Sequence, residues 1–162
     1  MGENSISGDF EFVDDCSVES DLEMYFPDYY VPGSAERMLL YRELDRIESD
    51  EELEAYRQRL IDRFGQVPHQ GEELIAVVLL RRYGKRLCSE KIVLKQHSMH
   101  LQLVRDTTHP FFASKAFNSL LNFAARFPKR CQFKKVNEIP KIIFYDVPTV
   151  GEALKILKAI LP

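Results

Sequence analysis

The sequence predicts an α+β fold in which a helical part precedes a small antiparallel sheet packed by helices. Apolar residues recur at helical spacing between Ser34 and Leu87. From Lys91 onward, short β-rich runs alternate with helical stripes in the order β-β-α-β-β-α. Charge divides the chain as well: residues 1–60 hold 17 Asp/Glu against 5 Lys/Arg, and residues 61–162 hold 8 against 17. This asymmetry indicates a two-signed surface suited to docking against a charged module.

Length and composition favour one domain with a tail. The chain has 162 residues, of which 45% are hydrophobic, enough to bury a substantial core. Residues 1–21 lack Lys and Arg, so we expect an acidic flexible linker there. Residues 22–162 form a single predicted domain, with an extended segment and three helices in 22–87 and an α/β part in 88–162.

The helical part has clear start and stop signals. Ser34 is the predicted N-cap of the first helix, and Ser49 with Glu52 forms a capping box for the second. Gly65 suits the left-handed end of that helix, and Pro68 suits the start of the third. A sharp corner between two amphipathic helices is predicted.

The second half predicts two strand pairs and two helices. The turn of the first pair is expected at Gln96 to Met99, and Thr149 is the predicted N-cap of the final helix. The remaining predicted elements are a hairpin of Lys91–Lys95 with His100–Val104, a helix from about Pro110 to Phe127, a second pair of Cys131–Lys134 with Ile142–Tyr145, and a final helix to about Ile160.

Cysteine usage and hydropathy bear on location. The three cysteines are odd in number and far apart, which disfavours a disulfide framework and fits a reducing cytosol. The longest apolar run, Leu74–Leu80, is too short to span a membrane. We therefore expect a cytoplasmic protein without a membrane partner.

No catalytic, cofactor-binding or metal-binding residue is predicted. The chain lacks the glycine-rich loops that hold nucleotide phosphates, so an ATPase site is not expected. His97 and His100 have ligand-like spacing but no third ligand nearby in sequence. A small enzyme remains an open alternative only if His97, His100 and Asp106 converge in one cleft.

Basic clusters leave a second alternative open. Lys and Arg residues flank Phe133, and others lie near the end of the third helix. If they converge with exposed aromatic rings, they could bind a phosphate backbone. The alternative function is therefore a nucleic-acid-binding accessory module using the basic patch near Phe133.

Three motifs lie between Leu22 and Leu87: a Pro-Asp-x-Tyr-Val-Pro segment, a Tyr-Arg pair preceded by Arg, and Asp-Arg-Phe-Gly-x-x-Pro at the corner. Together they resemble the C-terminal domain of the bacterial transcription-repair coupling factor. The residues that carry the resemblance are Tyr30, Arg37, Tyr41, Arg63, Phe64, Gly65 and Pro68.

The resemblance implies a non-catalytic regulatory domain of a much larger protein. The parent would be an ATP-dependent DNA translocase that removes stalled RNA polymerase and recruits UvrA, with ATP and Mg held by its motor domains. The domain would dock on the parent's UvrB-like module and mask the UvrA-binding surface. By resemblance, Asp62 belongs to the docking face; charge alone adds Glu51 and Glu54. Arg59 departs from the carboxylate that the resemblance implies.

Overall fold

The computed structural model describes residues 12–161, which form two compact units. The helical unit comprises residues 23–79, and the sheet unit comprises residues 12–22 together with 80–161. The α+β class predicted from the sequence is confirmed. The single domain over 22–162 stays an expectation, and the contacts of the described residues cluster within these two units.

Three helices build the helical unit: α1 (Ser34–Asp45), α2 (Asp50–Phe64) and α3 (His69–Arg86), whose C-terminal part lies in the sheet unit. Aromatic and aliphatic side chains share one apolar core there. Its fully or nearly buried members are Phe26, Tyr30, Val31, Leu40, Leu44, Leu53, Tyr56, Leu60, Val67, Ile75 and Val78.

The predicted caps are confirmed in two of three helices. The Ser49 hydroxyl accepts a hydrogen bond from the amide of Glu52 at 3.1 Å, and the Thr149 hydroxyl accepts one from the amide of Glu152 at 3.0 Å. The prediction for Ser34 is wrong: Gly33 occupies the N-cap of α1 in an extended conformation and offers no side chain to the helix.

The sheet unit contains a five-stranded sheet with strand order β1-β2-β3-β5-β4. The strands are β1 (Ser17–Ser20), β2 (Ser89–Lys95), β3 (Ser98–Leu103), β4 (Cys131–Val136) and β5 (Ile139–Tyr145). All neighbouring pairs are antiparallel except β1 with β2, which is parallel. The sheet is therefore mixed rather than purely antiparallel as expected.

Strand β1 corrects the expectation of a flexible linker over residues 1–21. Val18 pairs with Ile92, and Cys16 is fully buried, so residues 12–21 belong to the sheet unit. The rest of the predicted linker lies outside the described residues. Sequence reasoning missed this strand because Val18 is its single apolar residue and its partner strand lies about 70 residues later.

Two helices, α4 (Lys115–Arg126) and α5 (Val150–Ile160), complete the sheet unit. The continuous helix expected from Pro110 is wrong: Pro110–Ala113 forms a 3₁₀ turn, and Ser114 caps α4 by accepting from the amide of Phe117. Period-2 alternation gives the sheet one apolar face, which is covered, and one polar face. The covered strand residues are Ile92, Leu94, Met99, Leu101, Leu103, Cys131, Ile142 and Phe144.

Candidate functional site

The corner between α2 and α3 is fixed by a tyrosine hydroxyl. Tyr30 donates a hydrogen bond to the carbonyl of Gly65 at 2.7 Å and lies 3.3 Å from that of Leu60. Its ring packs on Phe64, with centroids 5.6 Å apart. Gly65 has φ of 90°, a region that side chains rarely adopt. These contacts satisfy carbonyls that the end of α2 leaves without helical partners.

The extended segment before α1 is held by Arg37 and Tyr41. The Arg37 guanidinium donates to the carbonyl of Val31 at 2.6 Å and pairs with Asp28 at 3.1 Å. The Tyr41 hydroxyl accepts a hydrogen bond from the amide of Phe26 at 3.0 Å, and the two rings stack 5.4 Å apart. The residues of the Pro-Asp-x-Tyr motif therefore fasten this segment to the helices.

Two more close contacts hold the elements of the helical unit together. The buried Tyr56 hydroxyl donates to the carbonyl of Leu40 at 2.8 Å, which joins α2 to α1. A Cβ at Gly71 would lie 2.7 Å from a methyl group of Val67 and 3.1 Å from the Phe26 ring. The chain before α1 and the start of α3 are thus closely packed.

An acidic face runs along the exposed side of α2, made by Glu51, Glu54 and Asp62. All three side chains are exposed. At 100° per residue they fall within about 80° of the helix circumference and extend about 16 Å along its axis. The sequence-predicted docking residues therefore share one face of one helix.

The arginines of α2 pair mainly with carboxylates of α1 and α3, so they leave most of the acidic face without a basic partner. Arg57 binds Glu72 of α3 through two nitrogens, the shorter contact being 2.7 Å, and lies 3.7 Å from Glu54. These hydrogen bonds to Glu72 raise the pKa of the Arg57 guanidinium. Within residues 12–161, Glu51 and Asp62 pair with no basic side chain. Sequence reasoning missed the Arg57 pair, which the spacing of charges on separate helices does not reveal.

Arg59 and Arg63 reach across to α1 instead. Arg59 forms an ion pair with Glu43 and lies over the Tyr56 ring at 5.8 Å. Arg63 pairs with Glu36 at 3.1 Å and lies over the Phe64 ring at 4.7 Å. Arg59, which stands where the resemblance implies a carboxylate, is therefore paired with Glu43 inside this unit.

The histidines do not converge on a cleft with Asp106. His97 lies in the exposed β2–β3 turn with φ of 59°, and His100 lies in β3. Asp106 accepts hydrogen bonds from the amide and hydroxyl of Thr108, a local turn contact. Across the described part of the chain, no group of three His, Cys, Asp or Glu residues is arranged to hold a metal ion.

The basic patch predicted near Phe133 is divided between the two faces of β4. Phe133 packs edge-on against Phe117 of α4 on the helix-covered side, with centroids 6.2 Å apart, and Lys134 points to the opposite side. Arg81, in the cluster near the end of α3, binds the carbonyl of Cys16 and the carboxylate of Asp15. Alternation along the strand thus separates residues that are adjacent in sequence. None of the helices in the described residues is long and apolar enough to cross a membrane.

The sequence similarity to known proteins covers the helical unit and extends into the sheet unit. The TRCF domain family matches residues 20–113, more than half of the chain. A transcription-repair-coupling factor of Rickettsia typhi is 23% identical over 136 residues, covering 82% of this chain and 12% of that protein. The Escherichia coli protein of the same name is 29% identical over 75 residues, covering 46% of this chain and 6% of that protein.

A solved structure has the same fold. The crystal structure of the C-terminal domain of a transcription-repair coupling factor superposes with a TM-score of 0.72 at 20% identity, covering 90% of this chain and 89% of that one. The chain spans about a tenth of the length of the curated relatives that it matches. From its sequence match and its fold, this chain belongs to the TRCF domain family.

Proposed function

We propose that this chain is the regulatory C-terminal domain of a transcription-repair coupling factor and performs no bond-making step itself. The parent would be an ATP-dependent DNA translocase that removes stalled RNA polymerase and recruits UvrA for excision repair. In this proposal ATP and Mg belong to the parent's motor domains. This domain docks on the parent's UvrB-like module and covers the surface that binds UvrA.

The acidic face of α2 is the observation that supports this proposal. Glu51 and Asp62 stand exposed on a helix whose neighbouring arginines are engaged elsewhere. Because complementary charge gives specificity and speed more than raw affinity, such a face suits an arginine-rich partner surface. Exposed ion pairs contribute about 0.2–1 kcal/mol each, so an interface of this kind can be displaced by a competing partner.

Truncation of the parent tests the masking role. Removing this domain is expected to raise UvrA affinity, because a closed state no longer competes with UvrA for the same surface. Isothermal titration of UvrA into the intact and truncated parents measures the difference. Equal affinities would contradict the proposal. Truncation of an equally long segment outside this domain is the control for general disruption.

A second measurement concerns catalysis. The isolated chain is expected to hydrolyse no ATP above the buffer blank in a phosphate-release assay, because the sequence has no phosphate-binding glycine loop. The parent supplies the positive control under the same conditions. A purely regulatory role would be contradicted by an ATPase activity that co-purifies with the isolated chain and is lost when residues of this chain are mutated.

A further inference from the structure

The polar face of the five-stranded sheet carries a row of lysines. In the strand register, Lys134 of β4 lies opposite Lys141 of β5, Lys141 opposite Gln102 of β3, and Gln102 opposite Lys91 of β2. Neighbouring strands are about 4.8 Å apart, so the three lysines span about 15 Å across the sheet. All of these side chains are at least partly exposed.

Two members of this row repel each other. Lys134 and Lys141 are directly opposed, an arrangement that destabilises a sheet. In residues 12–161 neither lysine has a carboxylate partner. At the β1 edge of the same face, the Glu19 carboxylate lies 2.5 Å from the Lys91 ammonium and 3.5 Å from that of Lys95, so one carboxylate pairs with two cations. The polar face therefore keeps a net positive charge that no ion pair within the described residues neutralises.

Two rings lie on the same polar face. Tyr145 of β5 is half-buried and its hydroxyl donates to the exposed Gln132 side chain at 2.9 Å. In the β3–β5 pairing, Tyr145 lies opposite Ser98, and His100 is two residues after Ser98 on the same face. The His100 and Tyr145 rings are therefore diagonal neighbours. Burial, followed by the charges of Lys141 and Lys134, lowers the pKa of His100 and favours its neutral ring.

We propose that this polar sheet face binds single-stranded nucleic acid. Lys134 and Lys141, which have no carboxylate partner within residues 12–161, contact the phosphates. The rings of Tyr145 and His100 offer surfaces on which bases stack. An acidic peptide would satisfy the lysines equally well. It would make no use of two planar rings beside them, and this favours a nucleic acid as the occupant. The proposed surface shares Lys134 with the patch near Phe133 but excludes the Phe133 ring, which packs against α4.

Fluorescence anisotropy of a labelled oligothymidine, titrated with the full 162-residue chain at low salt, tests the proposal. The double variant Lys134→Gln/Lys141→Gln is expected to bind about tenfold more weakly. Its slope of log affinity against log salt should be shallower by about 1.4, since each lost phosphate contact on a single strand contributes about 0.7. The matched control is Lys155→Gln/Lys158→Gln, which removes two exposed charges from α5. Circular dichroism checks that both variants fold.

The ring variants separate stacking from charge. Tyr145→Leu is expected to weaken binding about fivefold or more with little change in salt slope, whereas Phe127→Leu, which alters another exposed ring, is expected to leave it unchanged. Three results would overturn the proposal: no binding by the unaltered chain, equal losses in the two lysine doubles, or equal displacement by a poly-glutamate peptide. The last result would assign the face to an acidic protein partner.

Discussion

In the helical unit, tyrosine hydroxyls bind backbone groups of other segments, whereas in the sheet unit Tyr145 binds an exposed side chain. A hydroxyl bound to a buried carbonyl cannot be replaced by another residue type without leaving that carbonyl unsatisfied. The core of the sheet unit is built mostly from aliphatic side chains, together with phenylalanine, methionine and cysteine, and such cores tolerate exchange of similar volumes. The comparison explains why the recognisable motif lies in the helical unit.

The two units also differ in charge. Residues 23–79 carry 13 acidic and 6 basic side chains, whereas the sheet unit, residues 12–22 with 80–161, carries 9 acidic and 16 basic ones. The acidic face of α2 and the lysine row of the sheet are the local expressions of that difference. Each surface is thus suited to a partner of opposite sign.

Alkaline pH is expected to act most strongly on the sheet unit. Burial raises the pKa of its three thiols, Cys16, Cys88 and Cys131, to about 11 from an ordinary value near 9. Above pH 9 the unfolded thiols ionise and the folded ones do not, so stability is full below pH 9 and falls as pH rises through 11. The loss is roughly 2 kcal/mol per thiol. Urea unfolding followed by circular dichroism between pH 8 and about pH 11 measures it.

Cys16→Ala is the variant that isolates this effect. It removes one of the three ionising groups, so its stability is expected to fall less steeply with pH than that of the unaltered chain. In the helical unit burial raises the pKa of Tyr56, and the corresponding loss begins about one pH unit later than for the thiols, above the ordinary tyrosine value of 10. Stability that stays constant up to pH 11 would show that the thiols are not shielded as the structure indicates.

Tyr56→Phe sharpens the comparison of the two units. The change leaves the buried Leu40 carbonyl without its hydroxyl donor and is expected to cost about 1–3 kcal/mol. The matched control Tyr145→Phe removes a hydroxyl from an exposed partner and is expected to cost less than about 0.5 kcal/mol. Urea denaturation measures both, and equal costs would remove the distinction between the units.

Gly71→Ala tests the close packing inside α3. The added methyl group would meet Val67 at 2.7 Å, so we expect a loss of about 1–2 kcal/mol despite the better helix propensity of alanine. Gly151 in α5 is the control, because its nearest neighbour would lie 3.8 Å away, and Gly151→Ala is expected to be neutral or stabilising. Thermal unfolding distinguishes these outcomes, and a stabilising Gly71→Ala would contradict the packing described.

The smallest expected effect concerns helix caps. Ser49→Ala removes the acceptor for the amide of Glu52 and is expected to cost about 1 kcal/mol. Ser34→Ala should change stability by a few tenths of a kcal/mol, because Gly33 occupies the cap of α1. Denaturant midpoints of the two variants provide the test, and a larger loss at Ser34 would reverse the assignment.

Local signals were sufficient to predict much of the fold. The Ser49 and Thr149 caps and the corner at Gly65 depend on residues within one or two turns, and all were predicted from sequence. The β2–β3 and β4–β5 turns were harder. Gln96 with His97 and Asn137 with Glu138 adopt positive φ without glycine, so the usual turn signal is absent.

Non-local pairing accounts for most of what sequence did not reveal. Strand β1 depends on a parallel neighbour far along the chain, and Val18 is the single apolar residue among its four. Asp62 is assigned to the acidic face by resemblance, and Glu51 and Glu54 by charge alone; all three side chains are exposed. The docking role of this face stays a prediction. The lysine row is not visible in the sequence because strand pairing alone places Lys91 in line with Lys141 and Lys134, which lie 50 and 43 positions later.

Binding of the intact 162-residue chain to the isolated UvrB-like module of its parent tests the account most directly. We predict that Glu51→Lys/Asp62→Lys weakens this binding at least tenfold in isothermal titration at low salt, because the proposed docking places both exposed carboxylates against a basic surface. The control Glu23→Lys/Asp45→Lys reverses two exposed charges elsewhere in the helical unit and is predicted to retain binding. Equal affinities for the two double variants would contradict the proposed role of the acidic face.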